Sequence, residues 1–142
     1  MEEVRSDSPE ATYEFGRQFA ARLKRRDCVA LIGPLGAGKT ILVRGIAAGL
    51  GLADERLVLS PTFVLVQEYP AAVPVFHVDL YRITDGRSEL HLLGIDEMLA
   101  EGVVLIEWAD RAGDALPSER WELALSLTGK TTRLLQISRH GE

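Results

Sequence analysis

An α/β fold, a mixed β-sheet flanked by helices, is what three features of this 142-residue chain predict. A short apolar run, Cys28 to Ile32, leads through a glycine-rich segment into a stretch with helical spacing. A second run, Val103-Val104-Leu105-Ile106, is wholly apolar, the pattern of a strand covered on both faces. Two pairs of neighbouring strand-like segments read as hairpins, and hairpins beside a βα unit make the sheet mixed rather than purely parallel.

The elements follow in order. Met1 to Ser8 is acidic and polar and is expected to be a flexible lead-in. Ser8-Pro9 is an N-cap followed by proline at the first helical position. Phe15, Phe19 and Leu23 then recur at helical spacing and define one apolar face. Arg22, Lys24, Arg25 and Arg26 are expected to close this helix with positive charge, complementing its dipole. Ile41 to Leu50 places Leu42, Ile46 and Leu50 on one face, and Gly51 suits the helix end. Ala53 to Arg56 is a polar connection. Thr62 to Tyr69 and Val75 to Leu80 read as strands joined by a turn over Pro70 to Pro74. After a loop at Thr84 to Arg87, Ser88 to Leu93 and Asp96 to Leu99 read as short helices broken at Gly94. Trp121 to Leu127 and Arg133 to Ile137 alternate around Thr128 to Thr132, a second hairpin.

The composition bounds the function. With 46% hydrophobic and 26% charged residues the chain suits one globular domain spanning residues 1–142. A net charge of -5 argues against a broad basic footprint for nucleic acid. Cys28 is the single cysteine and lies in an apolar run, so an inert buried thiol is expected. No segment is apolar and long enough to span a bilayer, and Met1 to Ser8 does not resemble a signal peptide, which points to a cytoplasmic location. No His/Cys cluster has zinc-ligand spacing.

Residues 33–40, Gly33-Pro34-Leu35-Gly36-Ala37-Gly38-Lys39-Thr40, fit G-x-x-x-x-G-K-[ST]. Glycines at these positions let consecutive backbone N–H groups point inward at phosphate oxygens. Lys39 can reach the β- and γ-phosphates, the Thr40 hydroxyl can ligate Mg²⁺, and the helix that follows aims its positive end at the anion. Strand, glycine loop and helix in that order complete the fold class as P-loop NTPase-like.

Such a loop needs an acid at the end of a neighbouring strand. Glu107 directly follows the apolar run from Val103 to Ile106, the Walker B arrangement. An acid there is costly unless a cation or hydrogen bonds satisfy it. Asp79 ends the run Val75-Phe76-His77-Val78 and fits either polarisation of an attacking water, an Mg²⁺-bound water, or capping of the next turn. The spacing does not divide metal and base duties between the two acids. His77 shares a strand face with Asp79 and reads either as its support or as a hydrogen-bonded structural histidine. In Ser60-Pro61-Thr62-Phe63, between the P-loop helix and the next strand, Thr62 is the candidate for a switch-like hydroxyl near the γ-phosphate.

Gly36-Ala37-Gly38-Lys39-Thr40, Ser60-Pro61-Thr62-Phe63, Glu68-Tyr69, His77-Val78-Asp79-Leu80-Tyr81-Arg82, Glu89-Leu90 with Leu93-Gly94, and Leu105-Ile106-Glu107-Trp108 occur in this order. The set closely resembles the TsaE family, formerly YjeE, bacterial ATPases of tRNA threonylcarbamoyladenosine biosynthesis. The resemblance runs from about Thr12 to the C-terminal strands. The P-loop alone does not distinguish the family; His-x-Asp-Leu-Tyr-Arg and Ile-Glu-Trp together with Ser-Pro-Thr-Phe do.

The resemblance implies slow ATP hydrolysis in support of a complex with the partner proteins TsaD and TsaB. That complex transfers a threonylcarbamoyl group to the adenosine beside the anticodon of tRNAs that read codons beginning with A, so tRNA is met through the complex. A separate enzyme, TsaC, makes the threonylcarbamoyl-adenylate donor. By the same carry-over, ATP or ADP contacts Gly33, Gly36, Ala37, Gly38, Lys39, Thr40 and Ile41, and Thr40 and Glu107 hold Mg²⁺. Lys39, Asp79, Glu107 and Thr62 serve catalysis. Thr12 would border the adenine, and Trp108 either lies beside the nucleotide or is a core aromatic. Pro34 stands where the family usually has Asp, and Ile41 where a second Thr is frequent. Pro34 removes one N–H early in the loop, and phosphate binding is expected to survive.

The residues admit two other readings. A small-molecule P-loop kinase needs an acceptor pocket and usually an Arg-bearing lid, and no lid segment is evident after Asp96 to Leu99. A nucleotide-gated binding module would bind without useful hydrolysis. No arginine is placed convincingly as a finger in cis, although Arg82 and Arg111 are candidates, so a partner could supply that charge.

Overall fold

The computed structural model describes residues 1–34, 36–58, 66–81 and 86–141, with backbone alone at Glu55, Gly86 and Arg87. In chain order the elements are β1 (Glu2–Ser6), α1 (Pro9–Phe19), β2 (Cys28–Ile32), α2 (Lys39–Gly49), β3 (Val66–Tyr69), β4 (Val75–Asp79), α3 (Gly86–Leu92), α4 (Ile95–Glu101), β5 (Val103–Glu107), β6 (Arg120–Leu127) and β7 (Arg133–His140). Short 3-10 turns cover Ala20–Arg22, Glu55–Leu57 and Ala109–Ala115.

The strands form one sheet in the order β1-β7-β6-β2-β5-β4-β3. Its centre is parallel: β2 pairs with β5 and β6, and β4 pairs with β5. The two hairpins, β3–β4 and β6–β7, lie on either side of that centre as antiparallel pairs. The mixed sheet expected from the sequence is therefore present, with its parallel strands ending along one edge.

Strand alternation sorts the core into two layers. Val29, Leu31, Val75, Val103 and Leu105 face one side and pack with Leu42, Val43 and Ile46 of α2 and Phe19 of α1. Cys28, Ala30, Phe76, Val78, Val104 and Ile106 face the other and pack with Leu90 of α3, Ile95 and Met98 of α4, and Ala109 and Ala112. The same alternation assigns His77, Asp79 and Glu107 to the α2 face, where the glycine-rich loop lies. Helix α1 comes close enough to α2 that a Cβ at Gly45 would collide with the Tyr13 carbonyl oxygen.

Several boundaries differ from expectation. Residues 2–6, expected within a flexible lead-in, form β1, which pairs antiparallel with β7 from Glu2 opposite Ile137 to Ser6 opposite Arg133. The Ser8 cap is as expected: its Oγ accepts from the Ala11 N–H at 3.1 Å. Helix α1 ends at Phe19, however, so Leu23 packs on the core from an extended residue beyond it. The basic cluster does not close the helix. Arg22 pairs with Glu2 at 2.7 Å, and Arg25 donates to the Glu101 carbonyl at 2.7 Å. The chain turns early because Asp27 accepts from the Lys24 N–H at 2.9 Å. Helix α2 begins at Lys39, two positions before Ile41, and its C-cap is Leu50, with Gly51 following at φ 104°.

Candidate nucleotide site

The C-terminal ends of β2, β5 and β4 present, in turn, the glycine-rich loop, Glu107 and Asp79. In open α/β sheets this edge is where ligands bind. Asp79 and Glu107 are directly opposite each other in the β4–β5 register.

Gly38 caps α2 in a left-handed conformation, φ 102°, that a side chain would strain. It thereby turns the chain so that Lys39 and Thr40 form the first turn of α2. The Lys39 side chain folds back into the site. Its Nζ donates to the carbonyls of Gly33 at 2.5 Å and Pro34 at 2.9 Å. Burial pulls the Lys39 ammonium below its usual pKa, and the charges of Glu107, Asp79 and Asp110 oppose that fall. The same pattern shows that all three acids lie within electrostatic reach of the lysine.

Trp108 follows Glu107 with φ 58° and ψ 39°. For a residue with a large side chain this left-handed conformation costs on the order of 1–2 kcal/mol. It brings the indole beneath Lys39, whose Nζ lies 4.0 Å from the ring centroid, a cation–π contact. Tyr81 stacks on Trp108 at 5.0 Å, and the Arg111 guanidinium lies over both rings. Trp108 also packs against the second core layer, so it borders the site and the core at once.

The two acids are buried in different company. Asp79 Oδ1 accepts from the Tyr81 N–H at 2.9 Å, which is the turn-capping geometry. Burial raises the Asp79 pKa, with the Tyr81 hydrogen bond opposing. Glu107 Oε2 meets His77 Nε2 at 2.6 Å, and His77 Nδ1 meets the Tyr69 hydroxyl at 2.8 Å. Of the two readings of His77, support of Asp79 and a hydrogen-bonded histidine, the geometry matches the second: its ring meets Tyr69 and, from the neighbouring strand, Glu107.

Thr12 is buried, its hydroxyl 2.7 Å from Ser6 Oγ, and its methyl lies 3.9 Å from where a Gly38 Cβ would stand. It touches the loop through an apolar group. Ile41 lies in the first turn of α2 and is half-buried. Thr62, with Ser60, Pro61 and Phe63, lies outside the described residues, as do Leu35 and Arg82.

Sequence reasoning missed three neighbours. Arg133 donates to the Ala37 carbonyl at 3.2 Å and the Gly36 carbonyl at 3.3 Å, tying the β6–β7 turn to the loop. Nothing local marks it, because the contact joins distant segments. Gln67 and Tyr69 could have been found: in a hairpin turning at Pro70 to Pro74, Gln67 falls opposite His77.

The donor set suits a magnesium–nucleotide complex. Mg²⁺ is usually held by one or two carboxylates, a hydroxyl, waters and substrate phosphates, not by an all-protein cage. Thr40, Glu107 and Asp79 are such donors. Among the described residues no group of three or more His, Cys, Asp or Glu side chains is placed to hold a metal alone.

Comparison with known proteins agrees with this geometry. The family model "Threonylcarbamoyl adenosine biosynthesis protein TsaE" matches residues 6–135. A Bacillus subtilis protein named tRNA threonylcarbamoyladenosine biosynthesis protein TsaE is 38% identical over 139 residues, 96% of this chain and 85% of its own length. A protein of the same name from Aquifex aeolicus is 37% identical over 112 residues, 78% of this chain and 79% of its own length. The crystal structure of Bacillus subtilis YdiB superposes with a TM-score of 0.79 at 32% identity, covering 99% of this chain and 86% of that one.

Proposed function

Because this chain belongs to the TsaE family, we propose that it is the ATP-hydrolysing component of the tRNA threonylcarbamoyladenosine machinery. It assists a TsaD–TsaB complex acting on tRNAs that read codons beginning with A. Several features support that reading, and the convergence of Lys39, Asp79 and Glu107 on one sheet edge carries it.

The glycine-rich loop and Lys39 bind the phosphates of ATP, the lysine leaving its carbonyl partners for phosphate oxygens. Thr40 and Glu107 would hold Mg²⁺, which would supply positive charge against the phosphates. Asp79, with its proton affinity raised by burial, orients the attacking water, and Thr62, outside the described residues, is the candidate hydroxyl for the γ-phosphate. Trp108 and Thr12 border the nucleotide. Slow hydrolysis alone fits the placement of Arg111, which is engaged over Tyr81 and Trp108; the other candidate finger, Arg82, lies outside the described residues. Partner proteins supply or order that charge. A net charge of -5 suits a protein that reaches tRNA through such partners rather than gripping it. No described helix is long and apolar enough to cross a membrane.

The deciding experiment is ATP hydrolysis by the purified protein, alone and with TsaD–TsaB, for wild type and Glu107→Ala. Stimulation by the partners that disappears in the variant is the expected result. Equal background rates throughout would leave a binding module; phosphorylated acceptors would indicate a kinase.

A further inference from the structure

We propose that Gln67, Tyr69 and His77 form a positioning relay that fixes the carboxylate of Glu107 for its divalent cation. The proposal rests on the ATPase reading above and names residues to which that reading gives no role.

The relay crosses three adjacent strands. In β3, Gln67 and Tyr69 lie on one face by alternation, and the Tyr69 hydroxyl donates to Gln67 Oε1 at 2.7 Å. The β3–β4 hairpin places His77 opposite Gln67. His77 is fully buried and has a partner at each ring nitrogen: Tyr69 Oη at 2.8 Å and Glu107 Oε2 at 2.6 Å. With the Tyr69 proton given to Gln67, a ring carrying protons on both nitrogens donates Nδ1–H to Tyr69 Oη and Nε2–H to the Glu107 carboxylate. The ring is then held from behind, and its Nε2 meets one chosen oxygen of Glu107. The other oxygen, Oε1, makes no hydrogen bond among the described residues.

That asymmetry is what a cation-binding carboxylate needs. One oxygen is immobilised, and the second is left to approach the metal or its water in a fixed plane. A free glutamate would sample several side-chain rotamers, and a buried one would be costly without a partner. Among the described residues Asp79, the other acid at this edge, has no such support: its hydrogen bond is to the backbone N–H of Tyr81. The relay therefore separates two neighbouring carboxylates, one oriented by side chains from the sheet and one capping its own turn.

Residues that orient metal-ligating carboxylates typically contribute about 10–100-fold to metal affinity. The test is nucleotide binding with the metal as the titrant. Binding of a fluorescent ADP analogue to the purified protein is followed in EDTA and across a Mg²⁺ series, for wild type, Tyr69→Phe, His77→Gln and His77→Leu. Tyr69→Phe removes one oxygen and keeps the ring. It is expected to leave affinity in EDTA unchanged and to raise the Mg²⁺ midpoint severalfold. His77→Leu is expected to raise it about 10–100-fold. His77→Gln retains an amide able to donate at the former Nε2 position and is expected to recover most of the loss. If Tyr69→Phe and His77→Gln both keep the wild-type midpoint and His77→Leu shifts affinity equally with and without Mg²⁺, the three residues serve packing only and the relay is overturned. Should His77→Leu fail to fold by circular dichroism, the tyrosine and glutamine variants decide alone, and a wild-type midpoint in Tyr69→Phe overturns the relay. Wild-type protein that binds no nucleotide under either condition overturns the ATPase reading, and the relay's role with it.

Discussion

The glycine-rich half of the candidate site is assembled by consecutive residues, whereas the acidic half is assembled by sheet register. Lys39 is held by carbonyls of its own loop, those of Gly33 and Pro34. Glu107 instead depends on His77 in the next strand and on Tyr69 in the strand beyond. The first half is local and is anchored from outside at few points. The second is non-local, and its parts meet only once the β3–β4–β5 pairing is complete. Damage to a helix contact should therefore reach the loop first, while damage to the hairpin should reach Glu107.

The largest effect is expected where the loop's helix is seated. Gly45 on α2 lies against the Tyr13 carbonyl of α1, and backbone cannot yield as a side chain can. Gly45→Ala should force the two helices apart and destabilise the protein by about 1–3 kcal/mol, the usual cost of overpacking. Helix propensity alone would favour Ala by just under about 1 kcal/mol. A urea melt distinguishes the two contributions, and a variant as stable as wild type would show that α1 does not brace the P-loop helix.

A smaller effect is expected at the loop's own outside anchor. Arg133→Ala removes the guanidinium bonds to the Gly36 and Ala37 carbonyls. These are long and partly exposed, so about 1 kcal/mol, roughly fivefold in nucleotide affinity, is the expected scale. The loss should be equal in EDTA and in Mg²⁺, because the contact is to the glycine-rich loop and not to Thr40 or Glu107, the proposed metal ligands. That is the reverse of the pattern expected for Tyr69→Phe, and isothermal titration of ADP into both variants sets the two halves against each other. Arg133→Lys should restore little, since Nε and Nη2 are separate donors held in a fixed fork toward the two carbonyls, a geometry that a single ammonium on a flexible stem does not reproduce.

This division also explains what could be read from the chain. The strand–loop–helix unit was legible because its chemistry is contiguous: Gly38, Lys39 and Thr40 are spaced by the chain itself. Both hairpins were legible from alternation and their turn residues. Asp79 and Glu107 were legible as strand-ending acids, but the partner of His77 was not. Alternation gave its face correctly and could not say which strand lay beside it. Strand β1 escaped because Glu2, Glu3 and Arg5 look like solvated sequence, and its pairing with β7 depends on the last strand of the fold. Arg133 escaped for the same reason. The end of α1 was misplaced because Asp27, a residue beyond the helix, captures the Lys24 N–H and turns the chain early.

The smallest effect in neutral solution is expected at Cys28, which starts the same strand that ends in the glycine-rich loop but faces the opposite core layer. Burial pushes its thiol up to about 12 from an ordinary value of 9.0. The native thiol therefore stays protonated, and thiolate chemistry at pH 8 should be confined to molecules that have opened the parallel centre of the sheet. Iodoacetamide labelling followed by mass spectrometry should be slow in native buffer, fast in denaturing urea, and slowed further by saturating nucleotide only in proportion to the added stability. Rapid labelling of native protein would mean that β2 opens locally. The sign of the linkage follows from the raised value: the contribution to stability is whole below about pH 9 and is lost as pH rises from 9 toward 12. The slope from this one group is at most about 1.4 kcal/mol per pH unit. Because Cys28 lies on the face away from Lys39, Asp79 and Glu107, Tyr69→Phe and Arg133→Ala should leave its labelling rate unchanged when their global stabilities match wild type. A rate that rose in one variant alone would show that its half of the site is coupled to the sheet centre.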